Sequence, residues 1–118
     1  MHELSIAESV IRVAGAHAGG RRVSRVEVRI GHLRQVVPSA LEFAFELASA
    51  GTAMEGAELV IEHVPAAGKC RACRAESTLL AFPLSCSACG GLDVEALRGE
   101  ELVVDALELE GEMATTEA

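Results

Sequence analysis

The chain has 118 residues, half of them hydrophobic, with 10 Lys+Arg against 18 Asp+Glu for a formal net charge of −8. Such a length allows one compact domain, or a small core with a minidomain attached, and excludes a large enzyme scaffold. The negative balance opposes binding to nucleic acid or to anionic membrane, and three Phe with no Trp or Tyr leave an aliphatic core and almost no platform for stacking bases.

The chain opens MHELSIAESVIRVAGAHAGG. Ser5 followed by Glu8 has the form of a capping box, so a helix is predicted from about Ile6. Leu4, Ala7, Val10, Ile11, Ala14 and Ala18 share its apolar face, Glu8 and Arg12 form an i,i+4 pair outside, and Gly19-Gly20 ends it. Val23 to Ile30 alternates Val26, Val28 and Ile30 against Arg25, Glu27 and Arg29, which is a strand covered on one side. Pro38 suits a first helical turn, and Val37, Leu41, Ala44, Phe45 and Ala48 make the stripe of a second helix ending at Ala50-Gly51. Ala57 to Val64 reads as a second strand. Pro65 to Gly68 reads as a short flexible connection and a domain boundary. Leu102 to Glu110 reads as a last strand.

The expected fold is α+β: two helices on one face of a three-stranded sheet, with a zinc-ribbon-like four-cysteine minidomain inserted before the last strand. Residues 1–65 plus 101–112 form the first domain, 66–100 the second, and 113–118 a disordered tail. From Gly91 onward nine acidic residues stand against Arg98 alone, which reads as a solvated face and tail.

No run approaches the roughly 20 apolar residues of a membrane span. Glu3, Glu8 and Arg12 also interrupt the start where a signal peptide needs an unbroken apolar stretch, so a cytoplasmic chain is expected. Four cysteines in a reducing compartment then call for metal or redox chemistry and not for disulfides. Cys70-Arg-Ala-Cys73 and Cys86-Ser-Ala-Cys89 are separated by twelve residues. Each C-x2-C turn can present two thiolates to one ion, and two such turns joined across a hairpin complete a tetrahedron of sulfur. A closed set of four thiolates leaves no position for a reacting water, so Zn(2+) is expected as a structural ion. Lys69, Arg71 and Arg74 stand nearby to offset the thiolate charge. A redox C-x2-C would need a βαβ setting that is missing here, and a segment of about 30 residues must draw its folding free energy from the metal.

His17 falls in the last helical turn, where an imidazolium favours the dipole, while His32 and His63 read as surface or half-buried histidines. His2 stands beside the terminal amine. The Met1 amine, the His2 backbone nitrogen and the His2 imidazole can lie in one plane, a donor set that suits Ni(II) or Cu(II), with Glu3 as a further donor or hydrogen-bond acceptor. An ordinary frayed start is the competing reading of the same residues.

Met1-His2-Glu3-Leu4-Ser5 at the start, a strand ending in Ile30-Gly31, the Pro38-Ser39-Ala40-Leu41-Glu42-Phe43-Ala44-Phe45 helix and then the two C-x2-C pairs together resemble the HypA/HybF family. That resemblance, over residues 1 to 110, implies a nickel metallochaperone of [NiFe]-hydrogenase maturation and no enzyme. It implies transferable Ni(2+) at Met1, His2 and Glu3, and structural Zn(2+) at Cys70, Cys73, Cys86 and Cys89. It also implies two partners, a nickel-handling GTPase and the hydrogenase large-subunit precursor, with a homodimer left open and neither nucleic acid nor membrane involved. Some relatives add a carboxylate at the start of helix 2, where this chain has Val36-Val37-Pro38-Ser39. The other class that fits is a zinc-ribbon module for protein or nucleic-acid contacts without nickel, which the charge balance opposes where the partner is a polyanion.

Overall fold

The structure, a computed structural model, describes residues 3–110. Met1 and His2, and the expected tail at 113–118, lie outside the described residues. The element order is α1 (Glu3–Ala18), β1 (Val23–Gly31), a 3-10 turn (His32–Arg34), α2 (Pro38–Ser49), β2 (Glu58–Val64), β3 (Ala66–Cys70), β4 (Glu76–Leu79), β5 (Val94–Arg98) and β6 (Leu102–Leu109). The strands form two sheets of order β2-β1-β6 and β4-β3-β5. The chain divides into two compact units. One holds the described residues up to Val28, Val36–Glu62 and those from Val103 onward; the other holds Arg29–Gln35 and His63–Leu102.

In the first unit α1 buries Ile6, Ala7, Val10, Ala14 and Ala18, and α2 buries Leu41, Ala44 and Phe45. Val23, Val26 and Val28 of β1 and Met54 complete this aliphatic core. Full burial of a Leu or Phe is worth about 1.5–3 kcal/mol, so such a set orders two helices that would be marginal alone. β6 runs antiparallel beside β1, with Glu110 N donating to Arg22 O at 2.8 Å and Ser24 Oγ to Glu108 O at 3.1 Å. On the polar face of β1, Arg25 pairs with Glu27 at 3.2 Å and with Glu108 at 3.8 Å.

Three local readings of the helices are corrected. α1 already includes Glu3, so Ser5 lies inside its first turn and is not the cap. Arg12 donates to Ser9 Oγ at 3.3 Å in place of the expected pair with Glu8. Leu4 and Val37, assigned to the apolar stripes, are 52% and 53% exposed, while Ile6 takes the core position instead of Leu4.

The second unit carries the larger correction. Pro65 to Gly68 is no flexible connection, because Ala66–Cys70 is the central strand of the β4-β3-β5 sheet. β3 pairs antiparallel with β4, Ala66 opposite Leu79 and Lys69 opposite Glu76, and with β5, Cys70 opposite Val94. The twelve residues between the cysteine pairs therefore hold one strand, β4, which pairs with β3 on the other side of the first cysteine pair. No hairpin closes within that interval. Small residues are required here: a Cβ on Gly68 would lie 2.7 Å from Val94 Cγ1 and 2.8 Å from Leu79 Cδ1. Leu33, Ala66 and Leu79 form the buried cluster of this unit, with Leu84, Val94 and Ala96 packed against it.

Candidate metal centres

Cys70 ends β3, and two turns of the same construction carry the four cysteines. In the first, Cys70 N donates to Ala75 O at 2.9 Å and Arg74 N to Cys70 O at 2.8 Å; in the second, Cys86 N donates to Gly91 O and Gly90 N to Cys86 O, both at 2.8 Å. The offsets match residue for residue. The fourth residue after each leading cysteine is left-handed, Arg74 at φ 69° and Gly90 at φ 76°, so the second turn has the residue such a turn favours and the first tolerates an arginine there.

These turns aim amides at sulfur. Cys73 N donates to Cys70 Sγ at 3.5 Å, Cys89 N and Ala88 N to Cys86 Sγ at 3.4 and 3.3 Å, and Gly91 N to Cys89 Sγ at 3.4 Å. Sγ atoms of Cys70 and Cys89 are 3.7 Å apart, and those of Cys73 and Cys86 are 3.6 Å apart. All four lie within 4.8 Å of one another and none is in a disulfide. A tetrahedral ion with sulfur at about 2.3 Å requires sulfur separations of about 3.8 Å, so the donor set fits zinc. Cys70 and Cys86 are buried, Cys73 and Cys89 exposed.

The four thiols titrate apart. The Cys89 amide, then the Ala88 amide, hold Cys86 down to about 7 against the effect of burial. Cys70 is lowered chiefly by the Cys73 amide. For Cys73 the Ala75 amide pulls down, but the contact with Cys86 and burial together push it up to about 11. Cys89 is raised as well, since its contacts with Cys70 and Cys86 outweigh the Gly91 amide. Each close pair thus joins a thiol that ionises early to one that keeps its proton, and a divalent cation favours the thiolate form of both. The expected compensation from basic side chains is smaller than their number suggests. Arg71 Nη1 is committed to Asp93 Oδ1 at 2.7 Å.

Of the terminal nickel set only Glu3 is described. Its Oε2 accepts from Val37 N at 3.0 Å, and Val37 caps the N-terminus of α2. That bond leads the causes that lower the Glu3 carboxyl from its usual 4.5 to about 2. The start of helix 2, where this sequence places no carboxylate of its own, is therefore met by the carboxylate of Glu3. His17 Nδ1 bonds to Val13 O at 2.9 Å in the last turn of α1. The contact that the sequence did not reveal joins His32 and His63, whose Nδ1 and Nε2 are 3.2 Å apart. Nothing in the residues between them announces it, since they lie 31 positions apart, His32 at the start of the 3-10 turn and His63 late in β2.

The family model described as "Hydrogenase/urease nickel incorporation, metallochaperone, hypA" matches residues 1–109. The chain belongs to the HypA family. Among curated relatives, the hydrogenase maturation factor HypA of Geotalea uraniireducens is 51% identical over 110 residues, covering 93% of this chain and all of that one. The hydrogenase maturation factor HypA of Geobacter metallireducens is 46% identical over the same length, again covering 93% of this chain and all of the relative. Among solved structures, the Ni metallochaperone HypA from Helicobacter pylori superposes with a TM-score of 0.67 at 26% identity, covering 92% of this chain and 97% of that chain. The α+β architecture with a four-cysteine cluster is thus the HypA fold. No helix among the described residues is long and apolar enough to cross a membrane.

Proposed function

We propose that this HypA-family chain carries Ni(II) at its N-terminus and delivers it, in the cytoplasm, for maturation of a [NiFe]-hydrogenase. The carrying observation is the match to a nickel-incorporation family across residues 1–109, with Met1-His2-Glu3 at its start. The Met1 amine, the His2 backbone nitrogen and the His2 imidazole supply nitrogen donors suited to a square plane. Glu3 supports them as ligand or as hydrogen-bond acceptor, and a carboxyl lowered to about 2 is anionic throughout the range where the amine and imidazole lose their protons. Affinity then falls as pH drops through roughly 6.5 to 8, the range of unperturbed imidazole and terminal amine.

In the same reading Cys70, Cys73, Cys86 and Cys89 hold one resident zinc. When bound it neutralises half the charge of four thiolates and ties the two turns to β3. The sulfur separations and the amide donors to sulfur support that assignment. The complete ligand set has no open position, so the chain acts as a carrier and not as a catalyst. Its partners are a nickel-handling GTPase and the hydrogenase large-subunit precursor, engaged through separate surfaces of the two units. Equilibrium dialysis of untagged protein against Ni(II) tests the terminal site. His2→Ala is expected to remove high-affinity uptake without changing zinc content or melting temperature; unchanged uptake would overturn it.

A further inference from the structure

We propose that His32 and His63 form a separate, open metal site, taking one exchangeable divalent ion of the nickel, copper or zinc class through His32 Nδ1 and His63 Nε2. Both residues belong to the second unit, His32 beginning the 3-10 turn after β1 and His63 lying late in β2. The decisive contact is on the far side of the His32 ring, where Nε2 lies 2.6 Å from Leu80 O. A carbonyl only accepts, so Nε2 carries the proton and Nδ1 presents its lone pair. Histidines that ligate metals are fixed in this way, by donating the other ring N–H to a backbone carbonyl or carboxylate. The lone pair so fixed faces His63 Nε2 at 3.2 Å, with the two rings crossing at 80°.

That spacing suits a shared ion. With metal–nitrogen bonds of about 2.05 Å, neighbouring ligands stand about 2.9 Å apart at a right angle and about 3.3 Å apart at the tetrahedral angle. The observed 3.2 Å lies between these. His63 is exposed and can turn its ring toward a common ion, while the Leu80 carbonyl keeps His32 in place. Among the described residues the four cysteines are the only group of three or more His, Cys, Asp or Glu placed to hold an ion, so these two nitrogens leave the remaining positions to water. Two nitrogens and water make a weak, rapidly exchanging site. Imidazole donors select nickel, copper or zinc over magnesium or calcium.

The test uses the tag-free full chain carrying His2→Ala and one measured equivalent of zinc, so that neither the terminus nor the thiolates compete. Nickel(II) chloride is titrated by equilibrium dialysis. In parallel, a second equivalent of zinc(II), as a diamagnetic probe, is followed through the imidazole nitrogen resonances. The expected result is one further nickel per chain, weakened at least about tenfold by His63→Ala, with the His32 Nδ1 and His63 Nε2 resonances moved by zinc and those of His17 unmoved. His63→Gln, which keeps a donor toward His32 Nδ1 and a folded pair, is expected to weaken nickel binding likewise. Nickel binding unchanged by either His63 variant, or nitrogen resonances that zinc leaves in place, would reduce the pair to a structural hydrogen bond. Should wild-type and His2→Ala chains bind nickel equally, with both losing it on His63→Ala, the terminal site fails and the histidine site stands.

Discussion

Cys86→Ser probes the centre of the second unit. Cys86 is 2% exposed, accepts amides from Ala88 and Cys89, and stands 3.6 Å from Cys73 Sγ. The large apolar side chains buried in the unit are Ile30, Leu33 and Leu79, worth together about 4.5–9 kcal/mol of transfer free energy. A small zinc unit draws about 10–16 kcal/mol from its metal, so the zinc proposed here would outweigh those side chains. With zinc held as proposed, Cys86→Ser removes one of four strong ligands, and the loss exceeds what Ile30, Leu33 and Leu79 can offset. The amide spectrum of Cys86→Ser should collapse for residues 63–102, zinc should fall below stoichiometric, and far-UV dichroism from α1 and α2 should persist. A variant with one tightly bound zinc and a dispersed spectrum across 63–102 would refute the assignment of metal as the dominant stabiliser.

Gly68→Ala should destabilise the second unit by about 1–3 kcal/mol through overpacking against Val94 and Leu79, read as a lower midpoint in denaturant-induced zinc release; an unchanged midpoint would show that the β3 packing yields freely. The hydrogen bond from Val37 N to Glu3 has a signed pH dependence. Because the folded carboxyl lies near 2 and the ordinary one at 4.5, its stabilisation is complete above 4.5 and is lost as pH falls from 4.5 toward 2. The Val37 amide resonance should titrate with a midpoint near 2; a midpoint near 4.5 would mean that the bond does not hold in solution.

Features set by spacing or by period were readable from the sequence. The alternation in β1 and the stripes around Leu41, Ala44 and Phe45 report burial directly, and paired cysteines at fixed spacing foretell four sulfurs brought together whatever sheet lies beneath them. β3 was illegible because Ala66-Ala67-Gly68 has no β-branched residue to advertise a strand. Its sheet position follows from close packing under Leu79 and Val94, which selects small side chains that otherwise mark turns. The Ser5/Glu8 pattern failed for the converse reason: a local capping signal was overridden when α1 extended to Glu3, whose carboxylate bonds at the start of α2. The His32–His63 contact and the Leu80 carbonyl behind it depend on three distant segments, and no local pattern encodes such a meeting.

The nickel K-edge absorption spectrum of the untagged, zinc-loaded chain with one equivalent of Ni(II) tests most directly whether nickel sits at the terminus and not among the thiolates. Nitrogen and oxygen donors alone, with an imidazole signature that a His63→Ala chain keeps and a His2→Ala/His63→Ala chain loses, and one zinc retained per chain, are the expected result. Sulfur in the nickel shell, or nickel entering only as zinc leaves, would place the cargo in the four-cysteine cluster and contradict a terminal nickel site.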